Sequence, residues 1–136
     1  MSILEKLKTT KYMNIKFYWS NPNEVFPCCS IANANKKTIN CISGLLIDTG
    51  GCGIQDSLAW LEVGIDILKK NNLSNCWDRD TWGSEILKNN QVRIYSLYDD
   101  EYCIYLPLEF VIELLSQWLK FHLSDTNSIV NLEYLS

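Results

Sequence analysis

Residues 92–122 constrain the fold more than any other stretch of the chain. Val92 to Tyr98 and Tyr102 to Leu106 are rich in β-branched and aromatic residues, and the polar tripeptide Asp99-Asp100-Glu101 lies between them. That pattern predicts a β-hairpin. Pro107 follows at once, and its fixed φ and missing N–H suit the first position of a helix. Leu108, Val111, Ile112, Leu115, Trp118 and Leu119 then recur as one apolar stripe, with His122 near its end. A hairpin running directly into an amphipathic helix has two apolar surfaces, and both must be covered.

The other segments fill in around this unit. Tyr12 to Trp19 (YMNIKFYW) predicts a first strand, Ser20-Asn-Pro-Asn a turn, and Phe26 to Ala32 a second strand. Lys36 to Cys41 and Gly44 to Asp48 are expected as two further strands. At Ile54 the period changes. Ile54, Leu58, Leu61, Ile65 and Leu68 fall at helical spacing, with Asp56 at the start and Lys69-Lys70 at the end, as the helix dipole favours. Gly64 weakens this helix by about 1 kcal/mol relative to Ala, and it permits close packing on a sheet. Asn127 to Leu135 offers an edge strand. The expected fold class is α+β, a mostly antiparallel sheet with two main helices packed on one face. A crossover from the strand near 45 to the strand near 94 would add one parallel pair. With 136 residues and no linker, the chain reads as one domain, with 1–11 and 126–136 as loosely held ends.

Several chemistries lack their residues. The first ten residues show no apolar stretch followed by small residues, and no run approaches a membrane span, so a cytosolic protein is expected. Cysteines stand at 28, 29, 41, 52, 76 and 103 without a C-x-x-C pair, and His122 is the one histidine. The spacing suits reduced thiols better than structural zinc or a disulfide framework. Cys41 and Cys103 read as buried strand residues, which disfavours a Cys–His nucleophile pair. The Thr49-Gly-Gly-Cys-Gly53 loop has neither phosphate-binding glycine pattern, and Asp48 and Asp56 flank it, so it reads as a sharp turn. No metal and no cofactor are expected.

Charge is unevenly placed. Residues 1–43 carry six Lys against two Glu, whereas residues 44–113 carry twelve Asp/Glu against five Lys/Arg, a balance of −7. A nucleic-acid binder shows the reverse, a basic stripe. Asp78-Arg79-Asp80 between Trp77 and Trp82 reads as a solvated turn in which Arg79 shields like charges, or else as an acid/base pair. Solubility alone accounts for surplus acid. An acidic face bearing aromatic residues is also complementary to a basic protein.

Four segments carry a family likeness: IKFYWSNP (15–22), CISGLLIDTGGCGI (41–54), WDRDTWGSE (77–85) and RIYSLYDDEYCIYLPLEF (93–110). They resemble small bacterial immunity proteins that accompany contact-dependent growth-inhibition toxins and related polymorphic toxins, over most of residues 12–122. The resemblance implies a cytosolic, non-enzymatic binder that neutralises the C-terminal effector domain of one cognate toxin. Such effectors are often nucleases with basic substrate grooves, which an acidic inhibitor can occupy or flank. Charge and hydropathy give the expectation of no direct contact with nucleic acid or membrane, and the chain is expected as a monomer or, through an edge strand, a weak dimer. The acids expected to face the toxin are Asp78, Asp80, Glu85, Asp99, Asp100 and Glu101. Trp77, Trp82 and Tyr98 are the expected aromatic anchors, residue types that dominate binding hot spots. Two alternatives stand beside this reading. One is a small cytosolic enzyme using Cys52 or the Asp78/Asp80 pair. The other is a protein-binding regulatory module unrelated to toxins.

Overall fold

A computed structural model describes residues 12–20, 26–49, 53–125 and 128–135, and among these described residues it has seven strands and three α-helices. In chain order they are β1 (Tyr12–Trp19), β2 (Pro27–Ala32), α1 (Lys36–Ile47), α2 (Ile54–Lys70), β3 (Cys76–Asp78), β4 (Trp82–Leu87), β5 (Gln91–Ser96), β6 (Cys103–Pro107), α3 (Leu108–His122) and β7 (Val130–Leu135). The fold is α+β, as the patterning predicts. The strands form two sheets rather than one, ordered β2-β1-β7 and β3-β4-β5-β6, and all their pairings are antiparallel. The parallel pair expected near 45 and 94 does not form, because the residues near 45 are helical.

The hairpin and its helix form where the local signals agree. Val92 pairs with Leu106 and Ile94 with Ile104, and all four are buried. Tyr102 N donates to the Asp99 carbonyl at 2.9 Å, closing the turn. Leu108, Val111, Leu114, Leu115, Trp118 and Phe121 form the buried face of α3. On the other sheet, Met13, Ile15 and Phe17 alternate inward along β1. Phe17 meets Trp118 edge-on with ring centroids 4.8 Å apart, and Trp19 stacks on Phe121 at 5.1 Å. Helices α1 and α3 contact both sheets, while α2 packs on α3 and β3. β7 is an edge strand beside β1, so Val130–Leu135 take the edge-strand option of the C-terminal segment and are not a loosely held end.

The two strands expected at 36–41 and 44–48 are one helix, which makes three α-helices among the described residues against the two main helices expected. Thr38, Ile39 and Ile42 favour strands by propensity, and Gly44 looks like a break. Packing and capping override this. The Asn35 side chain accepts a hydrogen bond from Thr38 N at 2.8 Å, an N-cap. Cys41, Ile42, Leu45 and Leu46 then share one buried face. Cys41 is thus buried as expected, but on a helix; Cys103 lies half-buried on β6. Residues 50–52, including Cys52, lie outside the described residues, as do 1–11, 126–127, 136 and 21–25, on which most of the expected Ser20-Asn-Pro-Asn turn falls.

His122 closes α3 against Trp118, with ring centroids 4.9 Å apart. Its pKa lies below the usual 6.5, first because burial penalises the imidazolium and second because Arg79 is positive. In the window below 6.5 the unfolded chain therefore binds this proton more readily than the folded one. Stability is complete above the unfolded pKa and declines as pH falls through that window toward the lower folded value. Urea unfolding should show this decline, and His122→Gln should flatten it. An unchanged slope in the variant would assign the pH dependence to other groups.

Candidate functional site

One end of the four-stranded sheet gathers most of the unusual chemistry. It comprises the β3–β4 turn (79–81), the β5–β6 loop (97–102) and the C-terminus of α1. These pieces are physically tied. Leu97 N donates to the Thr81 carbonyl at 2.9 Å, linking loop to turn. The turn is in turn clamped to the helix from both directions. Arg79 Nε donates to the Leu45 carbonyl at 2.6 Å and Arg79 Nη2 to the Leu46 carbonyl at 3.2 Å. The last carbonyls of a helix lack intrahelical donors and carry partial negative charge, so a guanidinium there satisfies both needs. Asp48 Oδ2 accepts from Thr81 N at 2.6 Å and Trp82 N at 3.2 Å. Arg79 therefore serves helix carbonyls, where the sequence reading has it shielding Asp78 from Asp80. Its replacement in Arg79→Leu should destabilise the fold by about 2–3 kcal/mol, the effect of losing charged donors to half-buried acceptors. Urea denaturation measures this, and a loss below about 0.5 kcal/mol would mean that water replaces the guanidinium without penalty.

Two hollows flank this clamp. The larger, about 530 Å³, opens between α1 and the β5–β6 loop and is lined by Asn40, Ser43, Gly44, Trp82, Asp99 and Tyr102 among others. The Trp82 indole lies directly on Gly44, where any Cβ would overlap it. That approach is why glycine sits in mid-helix there. The Trp82 and Tyr102 rings lie 6.3 Å apart at 55°, and Asn40 Nδ2 donates to the Tyr102 hydroxyl at 3.0 Å. The smaller hollow, about 290 Å³, lies among the end of α1, α2 and the β3–β4 turn, and Asp48, Ser57, Trp60, Asp78, Arg79 and Asp80 line it.

The expected contact residues divide by environment. Asp78 and Asp80 are exposed beside the smaller hollow. The Asp78 carbonyl accepts from the Trp60 indole at 2.6 Å, and its Oδ1 accepts from the Tyr95 hydroxyl at 3.4 Å. Trp82 and Asp99 line the larger hollow. Asp100 and Glu101 are exposed at the hairpin tip, and Tyr98 there is 82% exposed. Glu85 lies apart, on the outer sheet face, where it pairs with Arg93 at 3.4 Å. Trp77 departs from expectation. It is 2% exposed, Gly64 lies against its ring, and its indole N–H donates to the Trp60 carbonyl at 3.0 Å. It is a core residue and presents no surface to a partner.

Sequence reasoning passed over Trp60, Tyr102, Asn40 and Asp48. Trp60, 43% exposed, carried a usable signal: it sits off the apolar stripe of α2, where a buried tryptophan is not expected. The roles of Asp48 and Asn40 depend on partners 33 and 62 residues away and leave no local trace.

Among the described residues, no group of three or more His, Cys, Asp or Glu is placed to hold a metal, and no helix is long and apolar enough to cross a membrane. The described cysteines are free thiols. Burial pushes the Cys29 thiol up to about 12 and the Cys41 thiol up to about 11, so neither offers a thiolate near neutral pH. Burial also lifts the Tyr95 hydroxyl to about 12, helped by the negative charge of Asp78. The chain matches no family model, no curated protein and no solved structure.

Proposed function

We propose that this protein is an immunity protein, which binds the effector domain of one bacterial toxin and neutralises it by stoichiometric contact. One observation carries the reading. Asp78, Asp80, Asp99, Asp100 and Glu101 spread around the exposed or half-exposed rings of Trp60, Trp82 and Tyr98 at a single end of the fold. Carboxylates meant for acid/base or metal chemistry converge on a point. Here they are dispersed over an open surface, as a recognition face for a basic partner requires. The resemblance of segments 15–22, 41–54, 77–85 and 93–110 to immunity proteins supplies the class of partner. A basic nuclease domain suits the charge best, because its substrate groove already binds a polyanion.

A regulatory module for a different protein would use the same surface, and the gene neighbourhood separates the two. A small enzyme would depend on Cys52 or on the Asp78/Asp80 pair. Co-expression with the effector domain encoded beside this chain tests the proposal. Growth should be restored, and Cys52→Ala should restore it equally. Continued arrest with well-expressed chain would contradict the immunity reading, and loss of rescue in Cys52→Ala would favour the enzyme.

A further inference from the structure

We propose that the larger hollow is a seat for one arginine side chain of the basic partner, which enters beside Trp82 and Tyr102 and ends on Asp99. The inference rests on the reading of a basic protein partner and adds the chemistry of its anchor. Among the described residues, the lining holds a single carboxylate, Asp99, and no lysine or arginine. An entering cation thus meets an acceptor there and no competing positive charge from the described lining. The carboxylate is pre-positioned, because Asp99 Oδ1 accepts from Glu101 N at 3.2 Å while the Asp99 carbonyl accepts from Tyr102 N. The walls are aromatic, and the face of an indole or phenol attracts a cation. Ile47, also in the lining and exposed, offers apolar surface for a methylene stem.

Several features favour guanidinium over ammonium. The acceptors are spread around the hollow. Besides Asp99 there are the Asn40 carboxamide oxygen, whose amide nitrogen is turned to Tyr102, and the second lone pairs of the Ser43 hydroxyl, which also bonds Cys29, and of the Ser96 hydroxyl, which also accepts from Tyr98 N at 3.2 Å. A planar fork with five donors can reach separated acceptors while stacking on a ring, and a compact ammonium cannot. The chain already uses this pairing internally. The Arg93 guanidinium lies 4.1 Å from the Tyr95 ring centroid, and that of Arg79 lies 5.2 Å from the Trp77 ring. Gly44 keeps the seat open, since a Cβ there would push the Trp82 indole out of its position.

The test needs no toxin. N-acetyl-arginine amide is titrated into the isotopically labelled protein to millimolar concentration, in parallel with the lysine analogue and the neutral, isosteric citrulline analogue. The arginine probe should shift the Trp82 indole N–H, the Asn40 side-chain amide and the Asp99–Tyr102 backbone amides. The lysine probe should bind more weakly and the citrulline probe not measurably. Asp99→Asn keeps an acceptor for the Glu101 amide, and it should weaken arginine binding about tenfold through loss of the charged partner. Absence of shifts at Trp82, equal binding of citrulline, equal binding of lysine, or undiminished binding in Asp99→Asn would each overturn the arginine seat. Probe failure alongside intact growth rescue would remove the seat and leave the immunity reading. Failed rescue alongside specific probe binding would do the opposite.

Discussion

Replacing Asp99, Asp100 and Glu101 together by lysine is expected to slow association with the proposed basic partner by about ten- to a hundredfold, within the range over which electrostatic steering acts. The three residues are exposed on one loop, so the change turns the most projecting part of the acidic face positive. Their charge acts at the encounter stage, before any contact forms, and the effect should therefore appear mainly in the on-rate. It should shrink as salt rises, because the Debye length falls from roughly 10 Å at 0.1 M to about 3 Å at 1 M. Stopped-flow association at two ionic strengths measures both features. The Glu101 N to Asp99 bond is lost in this variant, so circular dichroism must first show the fold intact. An unaltered on-rate with unaltered salt dependence would take the loop out of the interface.

Trp77→Ala should reduce stability by about 3–5 kcal/mol, the usual range for deleting a buried aromatic. The ring lies against Gly64 on α2, with the Trp60 ring 6.2 Å away and the Arg79 guanidinium over its face. A domain of this size has about 5–15 kcal/mol in total, so the variant would be near the edge of folding. Urea unfolding of Trp77→Ala beside Trp82→Ala and Trp60→Ala makes the comparison direct. The latter two rings are only partly buried and should lose less. A loss under about 1 kcal/mol for Trp77→Ala would contradict its place in the core. In a test of the proposed growth rescue, failure of Trp77→Ala would then trace to unfolding, whereas failure of a Trp82→Ala variant that stays folded would trace to the contact surface.

The two tryptophans show where sequence reasoning works and where it stops. Both flank Asp78-Arg79-Asp80, and in the sequence they look alike. Only tertiary structure separates them: β3 turns Trp77 inward beneath Gly64, while Trp82 rests across Gly44 at the mouth of a hollow. The β5–β6 hairpin and α3 were readable because strand propensity, turn chemistry, Pro107 and apolar spacing all point the same way. Helix α1 was misread because its β-branched residues and Gly44 point toward strands. Its C-terminal carbonyls find a donor in Arg79, which reaches back 34 residues to the Leu45 carbonyl. Of its caps, only Asn35 was visible locally. The acidic character of the candidate face was legible as a charge balance. Its concentration at one end was not, because that depends on the antiparallel register bringing the β3–β4 turn beside the β5–β6 loop.

If the proposed immunity function holds, the most direct measurement titrates this chain into a fixed amount of the effector domain of the proposed cognate toxin while that domain's activity is followed. Inhibition by contact predicts that activity falls in proportion to added protein and is abolished near one equivalent, with an endpoint independent of incubation time. Activity that disappears with time at a small fraction of an equivalent, or that persists in large excess, would contradict the account.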